Sequence, residues 1–170
     1  MTPDARLLDR PVAGSWLLSG MPSMPRPANA GHFQLPALPS TPYWARKLTL
    51  SFLGECFGIT VGLRETAELL VSELVTNATL AAGELHGLNP AQPKHASATI
   101  VSLSLQRFRN GLLIEVRDSS LEPPIPTSAD TQQESGRGLM LVAALSEEWG
   151  YFPAPGGGKV VYCFLRNQAE

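Results

Sequence analysis

A carboxylate and a carboxamide stand four residues apart in Glu73-Leu74-Val75-Thr76-Asn77-Ala78. Around them, from about Leu63 to Ala82, apolar residues recur at three- and four-residue steps: Leu63, Ala67, Leu70, Leu74 and Ala78. That period predicts an amphipathic helix with one buried stripe. Residues four apart share a helix face, so Glu73 and Asn77 can point into one cavity. The carboxamide oxygen is a neutral hard ligand suited to Mg2+, and the carboxylate can take a proton or orient a water. An exposed Glu/Asn pair is equally ordinary on a solvated helix face. The helix alone leaves both readings open.

Two further stretches bear chemistry. Asp118 follows the run Leu112–Val116, which reads as a strand ending at Arg117-Asp118. An ionised carboxylate accepts hydrogen bonds only, so it can read the exocyclic amine of adenine and would repel a carbonyl there. Asp-Ser-Ser is also a common turn. Gly136-Arg137-Gly138 precedes an apolar helical pattern opened by Leu139, Leu141, Val142 and Leu145. Glycines let backbone approach a ligand, helix-start N–H groups attract anions, and Arg137 suits a phosphate. Alone, a Gly-x-Gly before a helix is a tight turn. His86 and His95 have no acidic or thiol partners at metal-ligand spacing and read as surface residues.

The elements that must position these residues follow in chain order. Residues 1–30 are rich in proline and glycine without apolar period and read as a flexible leader; the folded domain is expected over 31–168. His32–Leu35 reads as an edge strand. Thr41-Pro42 opens a helix carrying Trp44, Leu48, Phe52 and Cys56, with Thr41 as its cap and Gly58 as its stop. The helix bearing Glu73 and Asn77 is expected to stop at Gly83, before a loop to Ala96. Ala98–Leu105 and Leu112–Val116 form a hairpin turned at Asn110-Gly111. The stretch from Ser119 to Glu134 is long, proline-rich and aperiodic, as lids are. Trp149–Phe152 and Val160–Leu165 make a last hairpin around Gly156-Gly157-Gly158. The order predicts an α+β fold, a two-layer sandwich of a mostly antiparallel sheet covered on one face by helices.

Composition narrows the class. Of the 170 residues, 13 are Lys or Arg and 15 Asp or Glu, a formal net charge of -2, so no basic excess points to nucleic acid. No stretch approaches the length of a membrane span. Cys56 and Cys163 lie in apolar contexts without metal spacing, which suits reduced thiols and a cytoplasmic setting.

In combination the motifs resemble the gyrase and histidine-kinase type of ATP-binding domain, the Bergerat fold. More narrowly they are similar to the small bacterial anti-sigma-factor serine/threonine kinases. The first box of that family reads Glu-Leu-Val-Thr-Asn-Ala, as in Glu73–Ala78. Val116-Arg117-Asp118-Ser119-Ser120 matches the second, and Glu134-Ser135-Gly136-Arg137-Gly138-Leu139 with Leu141-Val142 matches the last. Trp149-Gly150 and Gly158-Lys159 also fit, and the resemblance covers about residues 32–166. It implies Mg2+ held by Asn77, Glu73 as general base, and Asp118 on the adenine amine. It also implies ATP contacts from Ser120, Gly136, Arg137, Gly138 and Leu139. The activity implied is transfer of the γ-phosphoryl group of Mg2+-ATP to a hydroxyl on a regulatory partner, a sigma factor or an anti-sigma antagonist, by a protein compatible with a homodimer. The alternative is an ATP-binding regulatory module without turnover. Three positions depart from the family pattern: Ala81 stands where His or Arg is frequent, and Ser120 and Glu122 stand where the wider superfamily has glycines.

Overall fold

The computed structural model describes residues 26–85, 99–124 and 137–167, with backbone alone for 83–85 and 137. Strand alternation sets the architecture. In Ile100–Phe108 the odd residues Val101, Leu103 and Leu105 are buried, while Ser102, Ser104 and Gln106 between them are not. This two-residue period gives the sheet one apolar face and one mixed face.

Five strands form the sheet: β1 (Asn29–Pro36), β2 (Ile100–Phe108), β3 (Gly111–Asp118), β4 (Glu148–Pro153) and β5 (Lys159–Arg166). Their spatial order is β1-β2-β3-β5-β4, and every neighbouring pair is antiparallel. β1 and β4 are the edges, as expected for the first strand. The register sets Leu103 opposite Val116, Ile114 opposite Cys163, and Asp118 opposite Lys159.

Three helices lie on the apolar face: α1 (Thr41–Gly54), α2 (Val61–Leu85) and α3 (Arg137–Leu145). The stripe of α2, from Leu63 through Ala67, Leu70, Val71, Leu74 and Val75 to Ala78, meets Leu103, Leu105, Leu112, Ile114, Val116 and Cys163 in one core. Each fully buried Leu or Val there stabilises the fold by about 1.5–3 kcal/mol. α1 packs on α2, and Arg46 Nη1 donates to Ser72 Oγ at 2.8 Å across them. The architecture is the predicted α+β sandwich.

Some boundaries differ from the sequence reading. Thr41 is not the helix cap; Ser40 holds that position without a side-chain cap bond. The hydroxyl of Thr41 instead donates to Pro36 O and accepts from Leu38 N at 3.1 Å, closing the turn between β1 and α1. α1 ends at Gly54, one turn short of Gly58. At the start of α2, Thr60 Oγ1 accepts from Leu63 N at 3.3 Å, a capping bond. α2 continues past Gly83 to Leu85, because one glycine costs a helix only about 1 kcal/mol. The leader up to residue 25 lies outside the described residues, as do His86, His95 and the lid stretch from 125 to 136.

Candidate functional site at the Asp118 end of the sheet

α2 and α3 run side by side in opposite directions. The start of α3 lies against Glu73: a Cβ built at Gly138 would fall 3.2 Å from Glu73 Cβ and inside the radius of Glu73 Oε2. Leu145 at the other end of α3 shares a cavity with Leu63 and Thr66 near the start of α2. Glycine at 138 is therefore what lets α3 begin beside the carboxylate. Leu139 follows it into the core, 4% exposed. Arg137 opens α3 and Gly136 precedes it; the side chain of the first and the whole of the second lie outside the described residues.

One turn beyond Glu73 on the same helix, Asn77 keeps a buried amide nitrogen with no hydrogen-bond partner among the described residues. A buried polar atom left without a partner costs about 1–3 kcal/mol, so the position suits an ordered water or a ligand. The two ends of a carboxamide exchange by a half-turn of the side chain, which brings the oxygen to the same place. The ordinary alternative, both polar groups on a solvated face, does not describe this helix. Both are half-buried, and one abuts a second helix.

Asp118 closes β3 in phase with Leu112, Ile114 and Val116, so it faces the helices. It is 3% exposed. Its Oδ1 accepts from Lys159 Nζ at 2.9 Å and from Ser120 N at 2.8 Å. Ser120 Oγ in turn accepts from Glu122 N at 3.1 Å. The chain thus turns about Asp118 through side-chain caps, and among the described residues no non-glycine has a positive φ. That is why serine and glutamate are tolerated where glycines were expected.

The tip of the last hairpin folds onto this turn. Gly158 has φ 80°, and a Cβ there would lie 3.0 Å from Asp118 C and from Ser119 Cα, overlapping Asp118 O. Arg117, on the opposite sheet face, holds the tip through Nη2 bonds to Pro155 O at 3.0 Å and Gly157 O at 3.2 Å. Neither Lys159 nor Arg117 stood out as a site residue in the sequence. Lys159 left a readable signal: it falls in strand phase with Val161, Cys163 and Leu165, where a charge is out of place unless it is paired.

Among the described residues, further cavities lie away from the Glu73–Asn77 face. One of about 640 Å³, lined by Leu63, Thr66, Leu145 and Arg166, sits at the opposite end of the sheet and includes no candidate site residue. Another of about 480 Å³ wraps the end of β3 on the side away from the helices, beside Gln34, Ser102, Arg117 and Gly156. Only Asp118 of the candidate residues borders it.

A donor set for a metal follows from the same residues. Among the described residues no group of three or more His, Cys, Asp or Glu could hold an ion unaided. A single amide oxygen fits a cation that arrives on phosphates and keeps much of its water, which is how Mg2+ binds in nucleotide sites. The partnerless carboxamide of Asn77 fits that role.

The fold agrees with the comparison against known families. Residues 35–164 match the histidine kinase-like ATPase domain, more than half of the chain. The chain belongs to that family, and its domain is an ATP-binding one of the gyrase and histidine-kinase type. A search of curated proteins finds none that matches. No helix among the described residues is long and apolar enough to cross a membrane.

Proposed function

We propose that the chain is a serine/threonine protein kinase of the anti-sigma-factor type, using Mg2+-ATP to phosphorylate a regulatory protein partner. The observation that carries this reading is the pairing of Glu73, set against the opening of α3, with Asn77 one turn on, whose amide nitrogen has no partner among the described residues.

In this reading Asp118 takes the exocyclic amine of adenine on its free oxygen, which fixes the base. The first turn of α3 presents backbone N–H groups to the phosphates, with Gly138 giving room for close approach. Asn77 would hold Mg2+ through its side-chain oxygen; the ion, when bound, neutralises charge on the phosphates. Glu73 receives the proton of the partner's hydroxyl as that oxygen bonds to the γ-phosphorus. The bond from that phosphorus to the bridging oxygen breaks, and ADP leaves with the electron pair. Most of the acceleration in such transfers comes from positioning and charge neutralisation, so the base adds a modest share.

A second reading, an ATP-gated regulator without turnover, draws on Ala81. One turn past Asn77 the helix offers a methyl group where a basic side chain would steady a phosphate. A charge-assisted bond is worth about 1.5–3 kcal/mol, so its lack slows or abolishes transfer. Incubation of a lysate with γ-labelled ATP and either the wild type or Glu73→Ala separates the two. A kinase gives acid-stable serine or threonine label that disappears with the variant. A regulator gives no label above background with either protein.

A further inference from the structure

We propose that the leader docks on its own domain, with Trp16, Leu17 and Leu18 covering an apolar patch on the sheet face turned away from the helices.

The patch follows from strand alternation. Phe108, Leu113 and Tyr162 are out of phase with the core residues Leu105, Leu112, Ile114 and Cys163, so they point to the other face. Phe152 and Phe164 adjoin them, and among the described residues this second cluster holds strand side chains only. It is nonetheless dry: Phe108, Leu113 and Tyr162 are 6%, 7% and 3% exposed. Glycines account for one side of that burial. A Cβ at Gly150 would fall 3.0 Å from Tyr162 Cζ, and one at Gly111 would overlap the Phe164 ring, so both rings lie flat on the sheet. Their other sides need a cover. The burial is a property of the single chain, so the cover comes from the chain itself.

Composition selects the segment. Beyond the described residues, 86–98 carries one large aliphatic side chain, Leu88, 125–136 carries Ile125, and 168–170 carries none. The leader carries Trp16-Leu17-Leu18, with Met21 close behind. The segments 86–98 and 125–136 also adjoin the Ile100 and Asp118 end of the sheet, whereas Phe108 stands at the other end. There the leader arrives. Ala28 N donates to Arg107 O at 2.7 Å and Asn29 pairs with Arg107, so the chain enters the sheet beside Phe108. Leu18 lies eight residues before Arg26, and an extended chain of that length spans about 26 Å. From β2 to β4 the patch crosses three strand spacings, about 14 Å. The reach is ample. A docked leader closes this face to a second copy or to another protein, which leaves partners the helices and the strand edges.

The test places the photoreactive residue benzoylphenylalanine at position 16 of the full chain. After irradiation and digestion of the monomer, mass spectrometry is expected to find adducts on peptides holding Phe108, Leu113, Tyr162 or Phe164. Their yield should not change on dilution. Trp16→Ala is expected to lower the urea midpoint of the full chain. Adducts confined to other parts of the domain, or no adducts, overturn the proposal. So do adducts found only in cross-linked dimers that fade on dilution, which would assign the patch to a second copy. A Trp16→Ala midpoint equal to that of the wild type overturns it too.

Discussion

Glu73 and Gly138 touch: the carboxylate of one helix rests where the next helix lacks a side chain. The contact ties the first motif of the chain to the last, 65 positions later. It fixes where α3 begins relative to the Glu73–Asn77 face, and hence where its N–H groups lie.

Gly138→Ala forces Glu73 aside or α3 outward. Overpacking of this kind costs about 1–3 kcal/mol, read as a shift of the urea midpoint. Adding Glu73→Ala empties the space the new methyl needs, so the double variant should recover much of the loss. Strict additivity of the two changes would mean that the helices do not meet there.

Gly158→Ala should destabilise by at least about 1–2 kcal/mol, from its left-handed backbone alone. The overlap with the Asp118 carbonyl adds to this and displaces the carboxylate. At Gly157, also of positive φ, a Cβ meets nothing within 4 Å, so Gly157→Ala carries the backbone cost only. Thermal melts of the two variants should therefore differ, with Gly158→Ala the lower.

Burial raises the Glu115 carboxyl above its ordinary value, against the lowering effects of hydrogen bonds with Gln106 and Ser104 and of nearby His32. A folded-state pKa above the unfolded one means stability is fully present below the unfolded value of 4.5. It is lost as pH rises through the folded value. Glu115→Gln removes that loss and can still accept from Gln106 Nε2, which bonds Glu115 at 2.9 Å. The variant should be more stable than wild type at pH 7, by less than about 1 kcal/mol because water screens a partly exposed group. The advantage should vanish below pH 4.5. A difference that does not change with pH would contradict this.

Cys163 is wholly buried in the core, and burial pushes its thiol up to about 12. At pH 8 it should resist iodoacetamide until the protein unfolds, since the thiolate is the nucleophile. Mass spectrometry of the native and urea-unfolded protein checks this. Cys163→Ser should cost about 1–3 kcal/mol, because the hydroxyl would be buried without a sure partner.

The sheet and helices were legible because their periods are clean. Val101, Leu103 and Leu105 alternate, and Leu63 to Ala78 repeat at helical steps. The positions of Glu73, Asn77 and Asp118 on their elements were legible for the same reason. Two things were not. Sequence period shows that Asn77 shares a face with Glu73, but only packing shows that its amide is buried and partnerless. The tie between Asp118 and Lys159 depends on which strands neighbour each other, and β3 meets β5 across a connection 40 residues long. Local composition carries no information about such a pairing. The role of Thr41 was misjudged for a related reason: its hydroxyl serves Pro36, a partner behind it, and not the helix ahead.

Glu73, Asn77 and Asp118 are proposed to surround one adenine nucleotide. Calorimetric titration of ATP with and without Mg2+, on wild type and Asp118→Ala, tests it most directly. Binding should require the metal and fall at least tenfold in the variant, the worth of a hydrogen bond to a charged group. ATP that fails to bind at millimolar concentration, or binds wild type and variant alike, would contradict it.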